Sequence, residues 1–121
     1  MARILIVDDS PTELHALRRL LERHGYQILE ARDALQGIDL ARREHPDLIL
    51  MDVVMPGMSG FQATRRLTRD EETAGIPVFL VSSKTQESDR IWGLRQGASD
   101  YVAKPVDERD ILPRMHAVLG P

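Results

Sequence analysis

Short apolar runs alternate with amphipathic stretches along the whole chain. The runs end at Val7, Ala31, Met51, Val81 and Ala103. The stretches between them place apolar residues three or four positions apart, as on one face of a helix. Strands that alternate with helices are typical of βαβ units and a parallel sheet. The pattern therefore predicts a doubly wound α/β fold, in which a five-stranded parallel sheet carries helices on both faces.

The composition of each run predicts its place in the sheet. The runs that end at Val7, Met51 and Val81 are apolar without alternation, as expected of strands buried on both faces. Segment 27–31 is more polar, and the run that ends at Ala103 is short. We therefore expect these two strands to form the edges of the sheet.

Capping signals predict where the helices begin and end. Ser10 can cap the first helix, with Pro11 at the first helical position, Glu13 completing a capping box and Gly25 ending the helix. The other helices are expected at about 34–44, from about 60, at about 86–95 and, after an Asp107 cap, to about 119.

Pro113 lies well inside the last predicted helix. A proline in a helix interior removes a backbone hydrogen bond and clashes with the preceding turn, at a cost of ~3 kcal/mol. The sequence leaves two alternatives open: the helix is kinked, or its regular part begins near Pro113.

The composition excludes several classes of protein. A chain of 121 residues fits one domain over 1–121, with no room for an output domain. The net charge of −3 gives no bulk attraction to nucleic acid, and the absence of cysteine excludes disulfides and thiolate chemistry. No apolar run approaches the roughly 18 residues that span a bilayer, and the N-terminus lacks a signal-peptide pattern. We expect a cytoplasmic protein without membrane insertion.

Polar side chains with acid–base chemistry follow four of the predicted strands. Asp8 and Asp9 follow the first, Asp52 the third, Ser82 the fourth and Lys104 the fifth. The carboxyl ends of strands in an open parallel sheet form its ligand crevice, so these side chains are expected to meet there. Each of these residues, taken singly, is explained as a turn or surface residue. That explanation does not account for their common position at the carboxyl ends of four strands.

Three carboxylates at one edge indicate a metal site. Like charges this close raise each other's pKa unless a cation neutralises them, and oxygen ligands of this kind suit Mg²⁺. Asp52 is the best candidate for a nucleophile, because a carboxylate can accept a phosphoryl group as an acyl phosphate. The cation, Lys104 and Ser82 could then each take one phosphoryl oxygen.

The chain also resembles a known family, the CheY-like receiver domains of two-component response regulators, over essentially its whole length. The segments that carry the resemblance are ILIVDDSPTEL, DVVMPGMSGFQATRRLT and IWGLRQGASDYVAKPVDE. More narrowly, they resemble stand-alone regulators of chemotaxis-type systems and of type IV pilus twitching motility. The resemblance implies the strand order 2-1-3-4-5 and a histidine kinase as the donor of a phosphoryl group to Asp52. It also implies that Mg²⁺ is bound by Asp8, Asp9, Asp52 and the backbone carbonyl of Val54.

The resemblance further implies a conformational switch. Ser82 and Lys104 would contact the phosphoryl group, and movement of Ser82 would make room for Tyr101 to turn inward. The peptide bond before Pro105 would be cis. The chain departs from the family in having Ser83, where a small apolar residue is usual.

Two further positions match sites that tune phosphoryl lifetime in the family. Val54 offers no hydrogen bond to an attacking water, and Lys84 could screen the phosphoryl charge. We therefore expect slow dephosphorylation unless another protein assists it.

Trp92 is the single tryptophan of the chain. Ile91 and Leu94 share one side of the fourth predicted helix, and Trp92 lies off that side. Trp92 either covers the flank of the helix or is an exposed anchor for a partner, since tryptophan is enriched at binding hot spots. The resemblance implies that an unidentified downstream protein binds the face made by helix 4, strand 5 and helix 5.

We expect a signalling switch that is not an enzyme. Three other functions are alternatives to it. An Asp-nucleophile phosphohydrolase needs a second aspartate two positions after the nucleophile, where this chain has Val54, and a cap domain. A flavin carrier needs a phosphate-binding loop after the first strand, where Asp8 and Asp9 would repel phosphate. A receiver that serves as a phosphate sink, with no output partner, is not separated from a signalling receiver by the sequence.

Overall fold

The computed structural model of the chain describes residues 1–120; Pro121, the last residue of the expected domain, lies outside the described residues. Strands and helices alternate throughout the described range. The strands are β1 (Arg3–Val7), β2 (Gln27–Ala31), β3 (Leu48–Asp52), β4 (Val78–Ser82) and β5 (Asp100–Ala103). The helices are α1 (Pro11–Glu22), α2 (Ala34–Glu44), α3 (Gly60–Arg69), α4 (Glu87–Arg95) and α5 (Glu108–Leu119).

The strands form one parallel sheet in the order β2-β1-β3-β4-β5. This order confirms the expected fold and places the two polar or short strands, β2 and β5, at the edges. Every residue of β3 and β4 is buried, as their uninterrupted apolar sequences predicted.

Alternate residues of β1 face two separate hydrophobic cores. Leu5 and Val7 pack into a core that also contains buried residues of α2 and α3. Ile4 and Ile6 pack into a second core with buried residues of α1 and α5. Both faces of the sheet are therefore covered by helices, and its carboxyl edge is left open.

Helix α5 continues through Pro113. The helix begins at Glu108, its Asp107 cap accepts a hydrogen bond from the amide of Arg109 at 2.9 Å, and the helix includes Pro113. The alternative in which the helix begins near Pro113 is wrong, because the Asp107 cap already starts the helix one turn earlier.

The capping box predicted at α1 is absent and a complete one lies at α3. The Ser10 hydroxyl accepts from the amide of Glu13 at 3.3 Å, but the Glu13 carboxylate does not return to Ser10. At α3, Ser59 and Gln62 exchange both side-chain hydrogen bonds, at 3.0 and 3.2 Å. The reason for the failure at α1 lies in the site described below.

Helix α4 contacts the sheet through a glycine. Among its residues, all of which the structure describes, Gly93 alone is buried. A β carbon added there would lie 2.7 Å from Leu80 and 3.1 Å from the ring of Tyr101. Ile91, Trp92 and Leu94 are 44, 51 and 39% exposed, so the apolar side chains of this helix face solvent.

Candidate functional site

The carboxyl ends of four strands meet at one edge of the sheet, where the predicted site residues lie. In the strand register, Asp52 lies opposite Val81, and Ser82 lies opposite Ala103, the residue before Lys104. An open crevice of about 440 Å³ lies over these ends. Its walls include Asp9, Asp52, Val54, Ser82 and Lys104.

Three carboxylates converge at this crevice. One oxygen from each of Asp8, Asp9 and Asp52 lies within 4.8 Å of the others. Asp8 and Asp52 are 4 and 7% exposed, so two of these acids are removed from most of the solvent that would screen them. Buried like charges need a counter-cation, and an oxygen donor set fits Mg²⁺.

Asp52 has a perturbed acidity. Burial raises the pKa of Asp52 to about 6, an effect opposed by the hydrogen bond from Lys104 and supported by the charges of Asp8 and Asp9. The carboxylate is therefore ionised at neutral pH, but at a free-energy cost that a bound cation would relieve.

Lys104 is the cation that the structure brings to these carboxylates. Its Nζ donates to Glu13 Oε2 at 2.8 Å, to Asp52 Oδ1 at 2.9 Å and to Asp8 Oδ2 at 3.3 Å. Burial lowers the pKa of Lys104, but the contacts with Glu13 and Asp52 outweigh burial and hold it above its ordinary value. The ammonium group thus stays charged, with its donors directed at carboxylates.

Glu13 is a contact of Lys104 that the sequence did not predict. The amide of Ser10, its expected capping-box partner, instead donates to Asp8 Oδ1 at 2.9 Å. Because that amide is already satisfied, the Glu13 carboxylate is free to reach Lys104. The signal in the sequence is the aspartate two positions before the cap, which can form an Asx turn with the amide that follows.

Ser82 and Tyr101 are connected through the backbone of Lys84. The Ser82 hydroxyl accepts from the Lys84 amide at 3.0 Å, and the Tyr101 hydroxyl donates to the Lys84 carbonyl at 2.6 Å. Tyr101 is buried in this conformation, and burial raises the pKa of its hydroxyl against the opposing influence of Ser82. Ser83 and the side chain of Lys84 are exposed.

The remaining predicted residues are divided between the crevice and the surface of α4. Val54 is 59% exposed at the crevice wall, and Pro105, which also lines the crevice, follows a cis peptide bond with Lys104. Trp92 is not brought to this site; it lies on the exposed side of α4.

The family model of response regulator receiver domains matches residues 4–116. The chain belongs to this family. The receiver domain is 60% identical over 120 residues to Protein PilH of Pseudomonas aeruginosa, with 99% of each chain covered. It is 42% identical to the DNA-binding dual master transcriptional regulator RpaA of a Synechocystis species, of which it spans 49%.

Solved structures agree with this assignment. The receiver domain superposes on the chemotaxis protein CheY4 of Vibrio cholerae with a TM-score of 0.91, at 27% identity and over 98 and 99% of the two chains. The receiver domain of the sensor histidine kinase PA1611 of P. aeruginosa, described with a magnesium ion in its active-site cleft, gives 0.90 at 28% identity over 99 and 98%. Receiver domains are signalling proteins that take phosphoryl groups from histidine kinases and bind Mg²⁺ at an acidic pocket. Within residues 1–120, no helix is long and apolar enough to cross a bilayer.

Proposed function

We propose that Asp52 is the residue of this receiver domain that accepts a phosphoryl group from the phosphohistidine of a kinase. An Asp52 oxygen would form a bond to phosphorus as the phosphorus–nitrogen bond breaks, and the leaving imidazole nitrogen would take a proton. One observation carries the proposal: the buried Asp52 carboxylate lies in the crevice with its Oδ1 held 2.9 Å from the ammonium of Lys104. That contact aims the nucleophile and supplies a cation for the phosphoryl oxygens.

Asp8, Asp9, Asp52 and the Val54 carbonyl are the proposed ligands of Mg²⁺. The proximity of the three carboxylates, within 4.8 Å, and the burial of two of them support this assignment. The bound cation would neutralise charge that otherwise repels an anionic phosphodonor.

Ser82 and Lys104 are proposed to contact the phosphoryl group and to transmit its presence. The Ser82 hydroxyl and the Tyr101 hydroxyl bond to the amide and the carbonyl of the same residue, Lys84. If Ser82 turns toward a phosphoryl group, it must release the Lys84 amide, and the loop that holds the Tyr101 hydroxyl is then free to move. A local charge would in this way bias the packing beneath α4.

The site is suited to holding a phosphoryl group rather than to hydrolysing substrates. Val54 occupies the position where an aspartate-based phosphohydrolase would need its general acid, and its aliphatic side chain cannot transfer a proton. We therefore expect slow loss of the phosphoryl group unless another protein assists it.

A signalling role with an output partner is favoured over a phosphate sink by the surface of α4. Ile91, Trp92 and Leu94 are large apolar side chains that are each at least 39% exposed on one helix. Likeness to Protein PilH and to the chemotaxis protein CheY4 supports a cytoplasmic role in motility control, in a type IV pilus or chemotaxis-like system.

The proposal is tested by incubating the protein with Mg²⁺ and acetyl phosphate and weighing it by mass spectrometry. The wild type should gain one phosphoryl group, and Asp52→Ala should gain none. Asp39→Ala is the matched control, because Asp39 is exposed on α2 and pairs with Arg43. A phosphoryl group retained by Asp52→Ala would contradict the assignment.

A further inference from the structure

We propose that Glu13 competes with the phosphoryl group for Lys104, and so sets how tightly the crevice holds an anion on Asp52. This inference rests on the proposed role of Asp52 as phospho-acceptor. It assigns to the first turn of α1 a positioning residue that neither accepts the phosphoryl group nor belongs to the carboxylate cluster of the metal site.

The contacts of Lys104 leave none of its donors free. An ammonium group has three N–H donors, and Lys104 directs them at Glu13, Asp52 and Asp8, with the shortest contact, 2.8 Å, made to Glu13. A phosphoryl oxygen can therefore be bonded by Lys104 only if one carboxylate gives up its place.

Burial decides which carboxylate leaves. The side chains of Asp8 and Asp52 are 6 and 8% exposed, and both are needed at the site, as a metal ligand and as the acceptor. The side chain of Glu13 is 49% exposed, so its carboxylate can turn into water at little desolvation cost. Glu13 is thus the acceptor that a phosphoryl group displaces.

The backbone around Glu13 holds it in this competing position. Its amide donates to the Ser10 hydroxyl at 3.3 Å, and the amide of Ser10 is occupied by Asp8. The helix start is therefore fixed without the Glu13 carboxylate. Glu13 also lines the crevice itself. Its carboxylate would therefore repel a phosphoryl group, in addition to the aspartates, until Glu13 turns away.

Beryllium trifluoride mimics a phosphoryl group on a carboxylate. Its binding to the protein in the presence of Mg²⁺, followed by calorimetry, measures this competition. Glu13→Gln should bind the anion about three- to tenfold more tightly than the wild type, because a charge in contact with Lys104 is removed. Glu22→Gln removes the same charge from the far end of α1, where Glu22 accepts from Arg18 at 3.2 Å, and should bind as the wild type does. A Glu13 that only stabilised the helix would give lower stability and no gain in affinity.

The variant Glu13→Asp separates contact from simple repulsion. It retains the charge but shortens the side chain by one carbon, so its contact with Lys104 is lost, and we expect it also to bind the anion more tightly than the wild type. The inference is overturned if Glu13→Gln binds no more tightly than the wild type, or if Glu13→Asp shows no gain. Failure of the wild type to bind at all, or binding by Asp52→Ala, would instead count against the proposed role of Asp52.

Discussion

Gly60, the first residue of α3, lies so close to the backbone carbonyl of Asp52 that no β carbon fits between them. The Gly60 amide also donates to the Val53 carbonyl at 2.9 Å. The start of α3 is therefore docked directly on the end of β3, and this contact holds the backbone of the proposed phospho-acceptor in place.

Gly60→Ala should destabilise the fold and impair phosphorylation together. The added methyl group must push the Asp52 backbone away, and overpacking of this kind costs about 1–3 kcal/mol. Urea unfolding measures the loss of stability, and mass spectrometry after acetyl phosphate treatment measures the loss of acceptor function. Gly75→Ala is the matched control, since nothing lies within 4 Å of a β carbon at Gly75. If Gly60→Ala behaved like Gly75→Ala in both measurements, the docking of α3 on Asp52 would have no functional consequence.

Asp52 should make the stability of the metal-free protein depend on pH. Burial raises the pKa of Asp52 to about 6 in the folded state, whereas unfolding returns it to about 4. Between these values the folded state binds more protons than the unfolded state, so the free energy of unfolding falls as pH rises. Asp52→Asn does not lose this stability and should be more stable than the wild type by about 3 kcal/mol at about pH 7.

Urea unfolding of the wild type and of Asp52→Asn, with a chelator present, checks the sign of this pH dependence. The difference between them should be near zero below about pH 4, grow through the window to about pH 6, and then level off. Addition of Mg²⁺ should reduce the difference at neutral pH, because a bound cation favours the ionised carboxylate. A difference that is constant with pH would contradict the prediction.

Tyr101→Phe removes the hydrogen bond to the Lys84 carbonyl, which measures 2.6 Å. We expect a loss of about 1 kcal/mol of unfolding free energy and faster amide hydrogen exchange in the loop after β4. Tyr26→Phe provides the comparison, because it removes the same hydroxyl from a partly buried tyrosine that packs against the core of α1 and α5, away from the loop after β4. Equal effects of the two substitutions would show that the bond to Lys84 contributes nothing.

Val54→Asn should shorten the lifetime of the acyl phosphate at Asp52. Val54 is 59% exposed at the crevice wall, so an amide there can hydrogen-bond a water molecule that attacks phosphorus. The decay of the phosphorylated protein is followed by mass spectrometry, with Val54→Ala as the control, because alanine offers no hydrogen bond to water. A Val54→Asn protein that loses its phosphoryl group no faster than the wild type would refute the tuning role of this position.

Trp92→Ala should weaken partner binding without weakening the fold. Because Trp92 is 51% exposed, we expect a change in unfolding free energy of no more than about 0.5 kcal/mol and unchanged phosphorylation. Affinity capture of the downstream protein with phosphorylated bait should be reduced. Leu35→Ala serves as the control, as Leu35 is 62% exposed on α2. Loss of folding in Trp92→Ala would show that the side chain covers the helix flank instead.

The strands and their chemistry could be predicted because they depend on local pattern and topology. An uninterrupted apolar run such as Leu48–Met51 indicates a buried strand by itself. Once the strands are parallel, Asp52 and Lys104 must reach the same edge, however far apart they lie in the chain. No knowledge of side-chain packing is needed for either step.

The roles of Glu13 and α4 could not be predicted in the same way. Two acids, Asp8 and Glu13, could each accept from the Ser10 amide, and only the folded geometry decides that Asp8 does so. In α4, the spacing of Ile91 and Leu94 suggests one apolar side, but the buried residue is Gly93. Glycine has no side chain, so an analysis of hydrophobic positions does not detect it.

Helix packing normally interlocks side-chain ridges with grooves, and that interlocking fixes where one element lies along another. Helix α4 offers the sheet a bare stretch of backbone at Gly93, against Leu80 and the ring of Tyr101. Because glycine has no side chain, this contact does not interlock a side chain of the helix with a groove of the sheet. No interlocked side chain therefore opposes displacement of α4 along its own axis at Gly93, and the apolar side chains on its outer side would move with the helix.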